Sequence, residues 1–169
     1  MDFSQAVNAA MRMLADDPRT IFIGQSVAYD GAAIYHSLEG VPMEKRLEFP
    51  VVENLQLGYC TGLSLTGKLP VCIYPRMDFL LLAMDALVNH LDKLPAFGWN
   101  PKVIIRCRVG QKKPLDAGPQ HTQNYTNAFR HMLRSVEVLE VRTPRHVLEA
   151  YALALTNKHS TLIVENPSG

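Results

Sequence analysis

The chain has 169 residues, of which 47% are hydrophobic and 20% are charged, a composition typical of one ordinary globular domain. Its 17 basic and 16 acidic side chains nearly cancel, which argues against a polyanionic partner, so we predict no contact with nucleic acid. The three cysteines are widely spaced in apolar segments, which predicts reduced core residues in a cytosolic protein.

The first element in the chain is an amphipathic helix. Its apolar residues, from Phe3 to Leu14, recur at spacings of three and four and end before Asp17–Pro18. The polar residues near the amino terminus do not fit a secretory signal, and no apolar run approaches the roughly 20 residues of a membrane span. We therefore expect a cytoplasmic protein that has no membrane partner.

Five short apolar runs follow, each too short for a helix and rich in β-branched or aliphatic residues, as in buried strands. They are residues 20–23, 69–74, 103–107, 136–141 and 161–164. Helical patterns occupy residues 53–65, 78–94, 122–133 and 144–156, the last with Thr143 as a cap and Pro144 at its first position. The alternation predicts one α/β domain over residues 1–169: three α/β/α layers around a mainly parallel sheet of about six strands.

Two long segments interrupt this alternation, at residues 25–50 and 110–121. The second contains the basic pair Lys112–Lys113, which is typical of a solvated loop. In open α/β sheets the loops that follow the carboxyl ends of strands carry ligands. We therefore expect both segments to be loops at the ligand-binding edge of the sheet.

Common catalytic motifs are absent. The sequence has neither a dinucleotide-binding glycine fingerprint nor a phosphate-binding P-loop, and Thr66 replaces the second glycine that a nucleophile elbow at Ser64 would need. No pair of histidines or cysteines has the spacing of metal ligands, so we predict no metal site built by this chain.

Three features could carry chemistry. Glu53 is a lone carboxylate between an extended apolar segment and an apolar helix, where it could be a helix cap or a functional acid. Residues 74–79 end a predicted strand and open the long helix. His121 follows the glycine-containing loop 117–120 and could be a cap, a surface residue or a site residue.

In this order and spacing, the three features resemble the amino-terminal, pyrimidine-binding half of pyruvate and branched-chain 2-oxo acid dehydrogenase beta subunits, a domain shared with transketolases. The resemblance runs from Arg19 to Pro167. Its further anchors are Ile23–Gly24, Asp30–Gly31 and residues 65–71 and 104–106.

The resemblance implies a thiamine diphosphate enzyme. In that family the carboxylate matching Glu53 hydrogen-bonds the aminopyrimidine of the cofactor and favours its imino tautomer, which makes Glu53 catalytic. Phe79, with Tyr74 second, is the candidate for stacking on the pyrimidine, and Leu55 is a further candidate contact. His121 matches a histidine that faces the substrate. The reaction implied is decarboxylation of a 2-oxo acid with acyl transfer, with ketol transfer as the second choice.

The same resemblance implies a partner. Thiamine diphosphate enzymes hold Mg²⁺ and the diphosphate with a Gly-Asp-Gly segment, which does not occur in this sequence. We therefore expect a diphosphate-binding, alpha-type subunit that binds the Mg²⁺, and a heterotetramer in which this chain forms a homodimer. Beta subunits also have a carboxyl-terminal domain, which we expect to be absent here, since the sequence ends at Gly169 after the last predicted strand.

Two departures from the family leave an alternative open. Gln25 stands where an acidic residue usually follows the first strand, and Arg76–Met77 replaces part of an aromatic cluster. The first change could remove a charge from the site, and the second could loosen the stacking of the cofactor. The alternative is a non-catalytic interaction or regulatory protein that retains the fold.

Overall fold

Six parallel strands form the central sheet of the protein, whose structure is a computed structural model that describes residues 1–111 and 116–167. The strands are β1 (Thr20–Gly24), β2 (Arg46–Glu48), β3 (Leu69–Tyr74), β4 (Ile104–Arg108), β5 (Glu137–Val141) and β6 (Thr161–Glu165). Their order across the sheet is β2-β1-β3-β4-β6-β5, and every neighbouring pair is parallel. The predicted α/β fold with a parallel sheet of about six strands is confirmed.

Helices cover both faces of the sheet. They are α1 (Phe3–Ala15), α2 (Ala33–Ser37), α3 (Glu53–Leu65), α4 (Met77–Leu80), α5 (Thr126–Met132) and α6 (Pro144–Thr156). One hydrophobic core lies between the sheet and the packed pair α1 and α6, and a second lies between the sheet and the helices α3, α4 and α5. No helix in the described residues is long and apolar enough to cross a membrane.

The helices predicted at the two ends of the chain begin where their capping residues stand. The Asp2 side chain accepts a hydrogen bond from the Gln5 backbone N–H at 2.8 Å. The Thr143 side chain accepts one from the His146 backbone N–H at 3.3 Å, and Pro144 occupies the first helical position. The predicted cap of α6 is therefore confirmed.

The three cysteines are buried and free, as predicted for core residues. Cys60 lies on α3, Cys72 on β3 and Cys107 on β4. Burial raises the pKa of Cys107 and of Cys60, so both thiols stay protonated and pack as small apolar groups.

The single long helix predicted at residues 78–94 is wrong. After α4 the backbone passes through a 3₁₀ turn at Leu81–Ala83, a π-helical segment at Asp85–Leu91 and another 3₁₀ turn at Leu94–Phe97. The side chain of Asn54, on α3, accepts a hydrogen bond from the Ala86 backbone N–H at 3.0 Å. A side chain inserted into the backbone ladder displaces the regular pattern, and wide π-turns result.

The segment at residues 25–50, predicted as a loop, contains regular structure. It holds α2, a 3₁₀ turn at Met43–Lys45 and the edge strand β2. Since β2 has three residues and pairs only with β1, it is too short to show an apolar pattern in the sequence. The helix predicted at 122–133 is shorter in the structure, where α5 begins at Thr126 and ends at Met132. Lys112–Lys113 lies outside the described residues, so the second predicted loop is only partly described.

Candidate functional site

The carboxyl ends of β1, β3 and β4 border a cleft of about 260 Å³. Its walls come from residues at these strand ends: Ser26 follows β1, Pro75 and Arg76 follow β3, and Arg108 ends β4. Ala33 of α2 lines another wall. Ligands of open parallel sheets bind beyond the carboxyl ends of the strands, so this cleft is the candidate site.

Glu53 is a buried carboxylate with 6% of its surface exposed, and it is not one of the residues that line this cleft. It is the first residue of α3, and the N-cap position belongs to Val52, so the side chain does not serve as the helix cap. Within the described part of the chain, its carboxylate accepts one hydrogen bond, from the Gln25 side-chain amide at 3.3 Å. A carboxylate has room for about four such bonds, so Glu53 keeps capacity for a further donor.

Tyr74 lies behind Glu53 and does not line the cleft. Its side chain is 1% exposed, and its hydroxyl donates to the backbone carbonyl oxygen of Glu53 at 2.9 Å. Burial raises the pKa of Tyr74, which keeps the phenol protonated and able to donate. This bond ties the start of α3 to the end of β3 and positions Glu53, whereas the predicted contact of Tyr74 with a cofactor stays a prediction.

Leu55 also lies away from the cleft. It is 61% exposed on α3, near the exposed side chains of Val51 and Tyr59. An exposed apolar group there can contact another protein or a ligand held by one. Its predicted contact with a cofactor stays a prediction.

Phe79 and His121 are brought together in the cleft. Their rings meet edge to face, with centroids 5.4 Å apart and planes at 85°. Both line the cleft and both are half-buried. The structure thus joins two of the predicted site residues directly, although they are far apart in the sequence.

Gly110 allows this arrangement, because the chain leaving β4 passes very close to the His121 backbone. A Cβ atom at position 110 would lie 1.8 Å from the His121 carbonyl oxygen, far inside the contact distance. Only glycine fits such an approach. The segment carrying His121 is also closed by a hydrogen bond from its backbone N–H to the Gly118 carbonyl at 3.1 Å.

Glu48 shapes the wall that follows β1, a role that the sequence did not reveal. Its carboxylate accepts hydrogen bonds from the backbone N–H groups of Ser26, Val27 and Ala28 at 2.6, 2.8 and 2.8 Å. Ser26 is held there with a positive φ of 58°. Because the partners are backbone groups, no residue pattern could have marked this interaction.

A buried ion pair supports the other side of the cleft. The Arg106 guanidinium, on β4, donates to both carboxylate oxygens of Glu165, at the end of β6, at 2.7 and 3.2 Å. The Tyr151 hydroxyl donates to the same carboxylate at 2.8 Å, and Arg106 also donates to the Ser37 hydroxyl at 2.7 Å. Although burial opposes the charge, Glu165 raises the pKa of Arg106. Charged residues inside apolar strand sequences were the available signal for this pair.

Curated relatives of the chain are beta subunits of one enzyme. The chain is 26% identical over 172 residues to the mitochondrial pyruvate dehydrogenase E1 component subunit beta of Ascaris suum, covering 95% of the chain and 46% of the relative. It is 24% identical over 170 residues to the subunit from Cyanidium caldarium, covering 96% of the chain and 51% of the relative. The chain thus spans about half the length of these relatives. No family model matches the sequence.

Solved structures with the same fold are transketolases. A split gene transketolase, described as an inactive beta4 tetramer, superposes with a TM-score of 0.77 at 17% identity. The match covers 100% of the present chain and 52% of the transketolase chain. The transketolase of Campylobacter jejuni superposes with a TM-score of 0.74 at 13% identity. This match covers 97% of the present chain and 25% of the transketolase chain. The resemblance predicted from the sequence is confirmed: the relatives are E1 beta subunits, and the fold is shared with transketolases.

Proposed function

We propose that this chain is the pyrimidine-binding subunit of a split thiamine diphosphate enzyme, folded as a single pyrimidine-binding domain. The observation that carries the proposal is Glu53, a buried carboxylate with one weak hydrogen bond, at the place that matches the family's cofactor-activating acid. The relatives of the chain, which are E1 beta subunits, support the same proposal. The reaction class is decarboxylation of a 2-oxo acid with acyl transfer, and ketol transfer is the second choice.

The residues present fit an aminopyrimidine. Glu53 has free acceptor capacity, and its one partner, the Gln25 amide, is neutral and 3.3 Å away, so a ligand N–H can compete with it. Phe79 offers an aromatic surface in the cleft at the carboxyl ends of the strands. A buried carboxylate paired tightly with a cation could not accept such a ligand, and Glu53 forms no ion pair with a described residue.

When bound, thiamine diphosphate supplies a thiazolium carbon that becomes a nucleophile toward the substrate carbonyl. Glu53 would hold or move a proton at its Oε atoms toward the bound aminopyrimidine, and its 6% exposure keeps most water away from that carboxylate. Tyr74 and Gln25 fix the position of Glu53, one through its backbone and the other through its carboxylate. His121, in contact with Phe79, lines the cleft in which the substrate would lie.

A partner is part of this proposal. The diphosphate and its Mg²⁺ need a Gly-Asp-Gly segment, which this sequence lacks, so an alpha-type subunit carries them. The assembly proposed is a heterotetramer that contains two copies of this chain. A cytoplasmic location stays a prediction, since the names of some relatives include the word mitochondrial or chloroplastic.

The test is reconstitution with a partner. The chain is purified together with an alpha-type subunit that contains Gly-Asp-Gly, sought first among the adjacent reading frames, and turnover of 2-oxo acids and ketoses is measured with thiamine diphosphate and Mg²⁺. Glu53→Gln should lower kcat by about 10² or more, in the range of general acid–base catalysis. The matched control is Glu39→Gln, an exposed carboxylate distant in sequence, which should keep full activity. Unchanged kcat in Glu53→Gln contradicts the proposal.

A second candidate function is a non-catalytic interaction protein. The structural neighbour described as an inactive beta4 tetramer supports it, as do the exposed apolar side chains Val51, Leu55 and Tyr59 around α3. If the purified chain forms a stable homo-oligomer and binds no thiamine diphosphate with any Gly-Asp-Gly partner, this second function replaces the first.

A further inference from the structure

Two of the three free thiols face each other across the contact between α3 and β3. Cys60 lies on α3 and Cys72 on β3, and both are fully buried in the hydrophobic core that α3 shares with the sheet. The Cys60 S–H donates a hydrogen bond to the Cys72 sulfur. The pair is therefore already in contact in the folded chain, whereas the third thiol, Cys107, lies on β4.

The buried side chain of Gln56 fixes which face of α3 meets Cys72. Its amide nitrogen donates to the Cys72 sulfur at 3.3 Å and to the Ile73 carbonyl oxygen at 3.1 Å. Cys60 follows Gln56 by four residues on the same helix, so its side chain lies on the same face, one turn farther along. The Gln56 contacts thus hold the face that carries Cys60 against the strand that carries Cys72.

Cys72 is the more nucleophilic thiol of the pair. Burial acts against its ionisation, but hydrogen bonds to its sulfur, chiefly from Cys60 and Gln56, outweigh that effect and lower its pKa. Burial and the hydrogen bond to Cys72 raise the pKa of Cys60. Since the thiolate is the form that reacts with oxidants, Cys72 would react first and the protonated Cys60 second.

The thiol pair lies on the same two elements that position Glu53. Glu53, Gln56 and Cys60 are all among the buried residues of α3, at spacings of three and four. Tyr74 follows Cys72 by two residues on β3, and its hydroxyl donates to the Glu53 carbonyl oxygen at 2.9 Å. A change in the distance between Cys60 and Cys72 would therefore alter how the start of α3 sits on β3.

We propose that Cys60 and Cys72 are a redox-sensitive pair, which hydrogen peroxide oxidises to an intrachain disulfide that displaces Glu53. The Cys72 thiolate attacks one peroxide oxygen and the O–O bond breaks, which gives a sulfenic acid and a hydroxide ion that takes up the proton released by Cys72. The Cys60 sulfur then attacks the Cys72 sulfur, and the sulfenic oxygen leaves as water with the Cys60 proton. The two thiols lose two electrons, and the peroxide is reduced to two molecules of water.

Closure of the disulfide moves α3 and leaves β3 in place. A sulfur–sulfur bond is about 2.05 Å long, much shorter than the contact between two hydrogen-bonded thiols. Because β3 is hydrogen-bonded inside the sheet between β1 and β4, the helix takes up the movement. A loss of turnover on oxidation rests on the proposed role of Glu53, whereas the disulfide itself needs no cofactor and no partner subunit.

The first test maps the disulfide in the purified chain without cofactor. The folded, reduced chain is treated with hydrogen peroxide under conditions that fully oxidise free glutathione, its remaining thiols are blocked with N-ethylmaleimide in urea, and unreduced peptides are identified by mass spectrometry. Cys60 and Cys72 should be joined and Cys107 blocked, whereas a chain oxidised in urea should give a mixture of pairings. Three blocked thiols in the folded chain, or a link to Cys107, overturns the proposal.

Two matched variants assign the roles of the thiols. Cys72→Ala removes the nucleophile, so its Cys60 should stay reduced under the same treatment. Cys107→Ala removes the other buried strand thiol and should form the Cys60–Cys72 disulfide to the same extent as wild type. Oxidation of Cys60 at the wild-type rate in Cys72→Ala would contradict the order of the two steps.

The second test follows Glu53 and then turnover. In NMR spectra of the wild-type chain, oxidation should shift the backbone amide resonances of Glu53 and Gln56, whereas those of α6, on the other face of the sheet, should stay in place. An unmoved Glu53 resonance in the fully oxidised chain overturns the displacement. In the assembly reconstituted with an alpha-type subunit, oxidation should lower turnover at least tenfold, dithiothreitol should restore it, and Cys72→Ala should lose less than twofold. Full turnover with a shifted Glu53 would contradict the proposed role of Glu53 and leave the disulfide standing.

Discussion

Two buried carboxylates near the same edge of the sheet have opposite environments. Glu165 is 2% exposed and accepts three hydrogen bonds, two from the charged Arg106 and one from Tyr151. Glu53 is 6% exposed and accepts one weak bond, from the neutral Gln25 amide. Burial alone therefore does not distinguish a structural carboxylate from a functional one; the difference lies in whether the protein itself satisfies the oxygens.

The largest effect on stability is expected when Glu165 is replaced. Glu165→Gln leaves the Arg106 charge buried without a partner and should lower the free energy of unfolding by about 3–5 kcal/mol. Urea denaturation followed by circular dichroism measures the loss. Glu149→Gln, which breaks a fully exposed pair with Arg145, is the control and should leave the denaturation midpoint unchanged. A midpoint shift no larger than that of the control would mean that the pair contributes nothing to stability.

Tyr151→Phe tests a single hydrogen bond to Glu165, because it removes one donor and keeps both charges of the ion pair. The hydroxyl donates to the Glu165 carboxylate at 2.8 Å, and hydrogen bonds to charged groups contribute about 1.5–3 kcal/mol. We expect a loss in that range, measured as above. Since Tyr151 and Glu165 are in contact, the double variant should lose less than the sum of the single losses. Strict additivity would contradict the shared network.

A third carboxylate, the partly buried Asp17, is paired with an exposed cation. A side-chain hydrogen bond from Arg19 lowers the pKa of Asp17 from 3.8 to about 2, despite an opposing effect of burial. The folded-state pKa is depressed, so the stabilisation is present above about pH 4 and is lost as the pH falls through about 2. Arg19 is 55% exposed, so the contribution is screened.

Asp17→Asn should therefore cost about 1 kcal/mol or less at pH 7, and the cost should shrink as the pH falls from about 4 through about 2. Thermal unfolding of wild type and variant across this pH range measures the difference. A gap between the two proteins that does not narrow from pH 4 to pH 2 would show that Asp17 acts through packing instead of charge.

The smallest effect on stability is expected when Glu53 is replaced. Glu53→Gln gives up one weak hydrogen bond but removes a poorly compensated buried charge, so the free energy of unfolding should change by less than about 0.5 kcal/mol. Urea denaturation beside Glu165→Gln gives the direct contrast. A loss of several kcal/mol would place Glu53 among the structural carboxylates and remove the basis of the proposed function.

The sequence was sufficient for the fold and for part of the site. The apolar runs and the helical spacings located five of the six strands and both capped terminal helices, because those signals are local and repeat with the period of the backbone. Phe79 and His121 were identified through the order of motifs along the chain, and the structure places them in contact.

Contacts between residues distant in the chain were decided only by tertiary structure. The broken helix depends on the Asn54 side chain bonding Ala86, and the edge strand β2 is recognisable only beside β1. The pairing of Arg106 with Glu165 depends on how strands adjoin at the sheet edge. Local sequence encodes periodicity and caps, whereas the compensation of a buried charge is set by whichever distant group the fold brings within hydrogen-bond distance.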